Sequence, residues 1–316
     1  MRPAEALKST DPAAVTLAFD TAAGERTHLD VPVGPAAPRT YWQSVRSRVA
    51  RDPYTMACAG VLVLIAGAAL FAPWLGLYDP AAVNTSQRLL PVGSPGHLLG
   101  TDELGRDMLT RLIYGGRLSL MMGVVPVVIA LLIGGTLGLI AGFVGGRTNM
   151  LIMRISDVFY AFPSILLAVA IAGSLGAGLS NALLAITIVF IPPITRVTES
   201  VTTQIRAMDF VEAARASGAG TYRILRTHIL GNVLGPVLVY ATVLVSVSIL
   251  IAAGLSFIGL GASPPAAEWG LMLNTLREAI FLAPLISVLP GFMIFITSMC
   301  FNLISDGLRS AMDVRF

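Results

Sequence analysis

The sequence is poor in charge for its length. Of its 316 residues only 12% are Asp, Glu, Lys or Arg, whereas soluble domains carry about 25%. Hydrophobic residues make up 55%, and the mean hydropathy is +0.78. This combination excludes an ordinary soluble globular protein and predicts an integral membrane protein. The formal net charge is only +3, which gives no reason to expect a nucleic-acid partner.

Residue types that many catalytic motifs require are also scarce. The three histidines form no HExxH metalloprotease motif, and the only lysine, Lys8, excludes the Gly-Lys pair of a Walker A motif. No serine lies in a GxSxG elbow, which argues against an intramembrane serine hydrolase. Cys58 and Cys300 fall in apolar blocks and predict neither a disulfide framework nor a metal site. If the chain performs active transport, the nucleotide chemistry must belong to another polypeptide.

Six apolar blocks approach the roughly 20 residues that a helix needs to cross about 30 Å of hydrocarbon. The fourth block ends near Pro192-Pro193, and we expect it to continue as a kinked helix or a surface helix through Thr203. The predicted spans are Met56–Leu77, Leu118–Gly142, Leu151–Gly173, Asn181–Thr195, Val233–Leu255 and Ala283–Ile304.

Basic residues indicate how these spans are oriented. With six spans, 16 of the 21 Lys and Arg residues fall on the side that carries both termini. Because cytoplasmic loops are enriched in Lys and Arg, both termini are predicted to be cytoplasmic. The predicted fold class is therefore an all-α integral membrane protein with six transmembrane helices. The glycines between 134 and 138 predict close helix packing within the chain, with a pore lining as the alternative.

The N-terminal region divides into two predicted segments. Residues 1–39 show no sustained periodicity, which predicts a disordered cytoplasmic tail. In residues 40–53, apolar side chains recur every three or four positions opposite three arginines, which predicts an amphipathic helix on the inner leaflet. A simple basic flank before the first span is the alternative. Residues 54–316 then form the transmembrane domain.

A short cytoplasmic segment between the fourth and fifth spans has the features of a docking helix. Asp209 and Glu212 predict an acidic capping box with the helix starting at Phe210, and Gly218 can close the helix. Two turns are too few for a stable isolated helix, so it must dock against something. From the residues alone, a connector lying on the chain's own membrane face is an equal alternative.

The same segment resembles the EAA loop of permease subunits in ATP-binding-cassette (ABC) importers. The residues that match the motif are Glu212, Ala213, Ala214 and Gly218. His228-Ile229-Leu230 follows Gly218 by ten residues and also resembles the family. The family usually has Pro where this chain has Gly231. The resemblance implies a coupling loop over residues 205–232 that contacts an ATPase subunit, with Asp209, Glu212, Ala213, Ala214, Arg215 and Gly218 as the ATPase-coupling residues.

A second set of motifs is similar to the "C" permease subunit of dipeptide, oligopeptide and nickel importers. It includes the run from Leu99 to Asp107, with Phe162-Pro163 and the stretch Ser305–Arg309 farther along. This resemblance covers roughly residues 50–312. It implies a type I ABC importer permease fold in the cytoplasmic membrane of a prokaryote, carrying peptides or related small solutes. The implied partners are a second homologous permease, two ABC ATPase subunits and an extracytoplasmic solute-binding protein. No cofactor is expected in this chain, because ATP and Mg would be held by the ATPase subunits.

Charged residues outside the coupling loop allow further predictions. Asp102, Glu103, Arg106 and Asp107 are expected to cap and pair with one another in an outer loop, with a gate or binding-protein contact as the alternative. The segment 267–280 is expected to lie at the outer interface, with Trp269 at headgroup level.

One more pair of charges lies near the third span. Arg154 and Asp157 are expected to pair near the inner surface, because residues three apart share a helix face. A stand-alone proton-coupled carrier or channel is the competing function, and Asp157 would be its proton site.

Overall fold

The computed structural model describes residues 14–20, 26–32 and 41–312. The chain divides into two units, Met1–Ser47 and Arg48–Phe316. In the first unit, β1 (Ala14–Asp20) pairs with β2 (Arg26–Pro32) as an antiparallel hairpin in which Val15 lies opposite Val31. These strands lie within the segment 1–39, which was predicted to be disordered. The alternation of Val15, Leu17 and Phe19 with smaller or polar residues is the period-two pattern that favours strands, and the remainder of residues 1–39 lies outside the described residues.

Helix α1 (Tyr41–Val49) falls within the segment for which a helix was predicted. Its placement on the inner leaflet stays a prediction. The chain then turns, and α2 (Pro53–Phe71) begins three residues before the predicted first span. It begins early because Asp52 caps it, accepting hydrogen bonds from the backbone N–H groups of Tyr54 and Thr55, each at 3.3 Å. The Thr55 hydroxyl also donates to Asp52, and these bonds hold the pKa of Asp52 below its ordinary value.

Four further long helices follow, and each extends beyond its predicted span. A carboxylate cap at Asp107 starts the first of these helices ten residues early, and the fourth predicted span continues through Pro192-Pro193 as expected. The fifth span begins at Thr221 as a short α-helix, passes through a π-helical turn at Leu225–Ile229 and continues as a long α-helix. The bounds of these helices are Met108–Val144 for α3, Leu179–Arg206 for α6, Thr221–Ile224 for α8, Leu230–Phe257 for α9 and Pro284–Met312 for α11.

The third predicted span, Leu151–Gly173, is not one straight helix. It is divided into α4 (Gly146–Tyr160) and α5 (Ser164–Leu175), which meet at an angle of 85°. Pro163 lies at the break, and proline disfavours helical backbone at the residue before it. The described residues therefore contain five helices long and apolar enough to cross a membrane, or six spans if the bent pair counts as one.

Two short helices complete the second unit, α7 (Asp209–Ala216) and α10 (Trp269–Thr275). The long helices pack through glycines at the contact between α3 and α6. A Cβ atom added to Gly134, Gly138 or Gly142 would lie 2.6, 2.4 or 2.7 Å from a backbone oxygen of α6. Their four-residue spacing places all three on one face of α3, so the predicted close packing within the chain is confirmed.

Candidate functional site

The coupling segment folds as α7, one residue longer at its start than predicted. Met208 is the N-cap residue, and no side chain caps this end, so the predicted capping box with Asp209 as the cap is wrong. Met208 has the extended backbone of a cap (φ −80°, ψ 147°), which moves Asp209 into the first turn together with Glu212. Both carboxylates still lie where the positive end of the helix dipole favours them, and Arg215 lies in the last turn.

The other end of α7 closes as the sequence predicts. Gly218 has φ +79°, a left-handed conformation that favours glycine. The N–H of Ala219 donates to the carbonyl of Ala214 (3.0 Å), and the N–H of Gly218 donates to that of Arg215 (2.9 Å). These two bonds form a Schellman motif, which fixes the direction in which the chain leaves the helix.

One side of α7 is anchored in the fold. Val211 is fully buried and belongs to an apolar cluster with Ile205, Ile224, Ile229 and Val233. Ala214 is half-buried against the same cluster. The cluster includes residues from the end of α6 and the start of α9, so Val211 connects α7 to the apolar core at the ends of both long helices.

The opposite side of α7 is open. Of the six predicted coupling residues, all but Ala214 are exposed. Asp209, Glu212, Ala213 and Arg215 line a shallow depression with Ala216. Phe210 remains 40% exposed, with its ring centroid 6.1 Å from that of His228. A charged depression beside an exposed aromatic ring is suited to contact with another protein.

The second predicted group of charges forms a buried ion-pair cluster before α3. The Arg106 guanidinium bonds to Asp102 at 2.6 Å and to Glu103 at 2.9 Å. Asp107 caps α3 by accepting from the Thr110 N–H (2.8 Å), and its other oxygen lies 2.9 Å from His97 Nδ1. The predicted pairing is confirmed for Asp102, Glu103 and Arg106. Asp107 caps α3 and pairs with His97 instead of with the other three residues.

The burial of this cluster limits what it can contact. Asp102, Arg106 and Asp107 are buried, and only Glu103 is partly exposed. Arg111, which was not among the predicted site residues, donates to the carbonyls of Pro80 (2.8 Å) and Ala266 (3.3 Å) and so links the cluster to two other loop segments. The cluster therefore orders the loops before α3 and α10, and a gate or binding-protein contact there stays a prediction.

The segment 267–280 is anchored in the fold by Trp269. This side chain is fully buried and so does not contact lipid headgroups as expected, and its Nε1 donates to the carbonyl of Leu112 at 2.9 Å. The location of the segment at the outer interface stays a prediction. Glu268 is also buried and caps α10, accepting from the N–H groups of Gly270 (2.9 Å) and Leu271 (2.8 Å) and from the Ser119 hydroxyl (3.0 Å). A carboxylate directly before a short helix is the sequence signal for this cap.

Asp157 has a different partner from the predicted one. It forms an ion pair with Arg196 of α6 instead of with Arg154, and the Arg196 guanidinium lies over the Tyr160 ring at 4.8 Å. Both side chains of the pair are nearly half exposed. Spacing along one helix could not reveal this contact, because α4 and α6 meet only in the folded chain.

Two protein families match parts of the chain. Residues 134–316 match the family described as "Binding-protein-dependent transport system inner membrane component". Residues 40–91 match the "N-terminal TM domain of oligopeptide transport permease C".

Individual relatives match over a longer range. A di/tripeptide transport system permease protein DppC of Pseudomonas aeruginosa is 44% identical, over 89% of this chain and 93% of that protein. A dipeptide transport system permease protein DppC of Alkalihalophilus pseudofirmus is 48% identical, over 78% of this chain and 80% of that protein. A glutathione transport system permease protein GsiD of Pectobacterium atrosepticum is 39% identical, over 87% of this chain and 91% of that protein.

The fold has a counterpart among solved structures. An inward-facing structure of the MetNI methionine ABC transporter aligns with a TM-score of 0.55 and 20% identity, over 66% of this chain and 98% of that one. At this identity the likeness concerns the fold alone.

Proposed function

Because the chain belongs to the family of binding-protein-dependent transport system inner membrane components, we propose that it is the transmembrane permease subunit of an ATP-driven importer for small peptides. Relatives named for dipeptide and glutathione transport support the peptide class. In this proposal the bent pair α4 and α5 counts as one of six spans, and both termini lie in the cytoplasm. The chain contributes half of the solute pathway and catalyses no covalent step.

The observation that carries the proposal is that α7 has one side buried in the fold and one side exposed. Its inner side is fixed by buried Val211 to the cluster at the ends of α6 and α9, and its outer side presents Asp209, Glu212 and Arg215. An ATPase subunit that grips the outer side and moves would displace α7 together with the two long helices. The partners would be two such ATPases, which hold ATP and Mg, with a second homologous permease and an extracytoplasmic solute-binding protein.

The charge reversal Glu212→Lys tests this role. It removes a carboxylate from the first turn of α7 and reverses the charge that the partner meets. We expect the variant to insert normally but to retain less ATPase on purification in mild detergent. ATP hydrolysis stimulated by the binding protein should fall at least tenfold. Glu278→Lys is the matched control, because Glu278 is 87% exposed and lies far along the chain between α10 and α11.

Two outcomes would contradict the proposal. Normal coupled transport by Glu212→Lys would remove the coupling role of α7. A chain that purifies alone and moves peptide in vesicles without ATP would favour the stand-alone proton-coupled carrier. In that mechanism Asp157 would be the proton site, although it is paired with Arg196.

A further inference from the structure

The ion pair between Asp157 and Arg196 lies partway along α4 and α6. Arg206 donates to the carbonyls of Gly142 (3.2 Å) and Phe143 (2.9 Å), so the end of α6 lies level with the turn between α3 and α4. Asp157 follows the start of α4 by 11 residues, and Arg196 precedes the end of α6 by ten. At 1.5 Å per residue, both helices place the pair about 15 Å from that level. The expected location near the inner surface stays a prediction.

The exposure of the pair indicates what it faces. The Arg196 and Asp157 side chains are 47% and 46% exposed. Charged side chains of a membrane-spanning helix are costly against lipid and face a bundle interior or a water-filled cavity. In the importer proposed above, the solute pathway is such a cavity.

A cavity adjoins the pair at the break between α4 and α5. Its volume is about 250 Å³, and aromatic and proline side chains of the bend line it together with residues of α6 and α9. Tyr160 belongs both to this lining and to the cation–π contact with Arg196. Phe162, Ser164 and Tyr240 are further lining residues. An apolar cavity beside a paired cation and anion can take a peptide side chain while the two charges contact the peptide termini.

We propose that the Asp157–Arg196 pair and this cavity form a contact site for peptides in transit. This inference rests on the proposed function. Arg196 takes the peptide carboxylate, and Asp157 takes the ammonium group. The pair satisfies both charges between solutes, so neither side chain is left unpaired in the empty pathway. A zwitterionic peptide offers one opposite charge to each partner, which a peptide with blocked termini cannot do.

Neighbouring charges do not substitute for this pair. Glu199, three residues along α6, already accepts hydrogen bonds from Asn149 (2.5 Å) and Thr203 (3.1 Å). Arg154 lies on α4 but makes no ion pair among the described residues, and Asp157 bonds to Arg196 instead.

The first test measures uptake of a dipeptide by the complete transporter in proteoliposomes, with Arg196→Gln as the variant. We expect at least a tenfold loss of uptake while ATP hydrolysis stimulated by the binding protein is retained. Arg277→Gln is the control, because it removes an exposed ion pair outside the long helices and should leave both activities unchanged. Unchanged uptake by Arg196→Gln would overturn the contact site. Absence of stimulated ATP hydrolysis in the unmodified complex would instead count against the proposed function.

The second test remains informative if Arg196→Gln disturbs folding. Ser164→Cys is introduced after both native cysteines are replaced by serine, and a charged, membrane-impermeant thiol reagent is applied. We expect labelling of Ser164→Cys but not of Val63→Cys, a 72% exposed position on α2. A dipeptide with free termini should slow the labelling at least fivefold, and its acetylated, amidated form should not. No labelling, or equal protection by both peptides, would overturn the proposal.

Discussion

At the scale of single residues, buried carboxylates connect the loops before α3 and α10 to the helices. Glu268 is almost completely buried and is held by three donors, two backbone N–H groups and the Ser119 hydroxyl. Ser119 belongs to α3 and Glu268 precedes α10, so this carboxylate joins two elements about 150 positions apart. A buried polar group left without partners costs far more than a hydrogen bond contributes, which makes this residue sensitive to small chemical changes.

Replacing Glu268 by Gln tests that sensitivity. The amide keeps one acceptor oxygen, but its NH₂ group replaces the other. That NH₂ group then faces one of the donors that Glu268 accepts from, so two donors oppose each other. We expect a loss of about 1–3 kcal/mol in stability, measured as a lower midpoint of thermal unfolding in detergent. Glu278→Gln, at an 87% exposed position, should leave the midpoint unchanged. Equal midpoints for the two variants would show that the cap bonds of Glu268 contribute little.

Several residue-level predictions of local contacts are correct, although the local capping box at Asp209 does not form. The pairs of Arg106 with Asp102 and Glu103 follow from spacings of four and three residues, and Gly218 follows from the helix that it ends. Predictions failed where the partner is distant. The contact of Trp269 with Leu112 joins residues separated by 157 positions, and no periodicity in one sequence encodes such a distance.

At the scale of elements, the α3–α6 contact depends on glycines at a four-residue spacing. A Cβ on Gly138 would lie 2.4 Å from the carbonyl oxygen of Thr195 and 2.7 Å from the Thr198 side chain. Backbone cannot move aside as a flexible side chain can, so the two helices would have to separate. Gly135 is one residue past Gly134 on another side of α3, and its Cβ would meet only Leu131 at 3.9 Å.

Gly138→Ala should therefore destabilise the chain, and Gly135→Ala should not. Overpacking of this kind costs about 1–3 kcal/mol, which should appear as a lower unfolding midpoint and a lower yield of inserted protein. The two substitutions add the same methyl group to the same helix, so helix propensity cancels between them. A similar loss in both variants would mean that the close approach of α3 and α6 does not limit stability.

Helix existence was predictable from apolar length, but helix shape was not. Each apolar block forms one helix or, in the third block, two helices, yet helix bounds differ from the predicted ones by up to 12 residues. One reason is that caps such as Asp107 lie outside the apolar run. Pro192 and Pro193 are accommodated inside α6, whereas Pro163 marks an 85° bend. The same residue type gives opposite outcomes, since the packing around it decides whether the helix continues.

At the scale of the whole molecule, the part of the chain that matches known families begins at residue 40. The second unit, Arg48–Phe316, contains the long helices, α7 and the buried ion-pair cluster before α3. We therefore expect that deletion of residues 1–39 preserves insertion, ATPase co-purification and peptide uptake to within about twofold. Uptake by proteoliposomes containing equal amounts of full-length and shortened chain measures this. A loss of uptake with normal insertion would assign the N-terminal segment a part in transport.

The length of α3 has a mechanical consequence for the molecule. Its 37 residues span about 55 Å at 1.5 Å per residue, well beyond a hydrocarbon layer of about 30 Å. One end is capped by Asp107 within the buried ion-pair cluster, and the other ends beside Arg206, close to the segment that leads into α7. A rod of this length that pivots by about 10° around one end sweeps the other through about 10 Å. The loop before α3 and the segment that leads into α7 therefore lie at opposite ends of one long helix. A small rotation of this helix about one end produces a large displacement at the other.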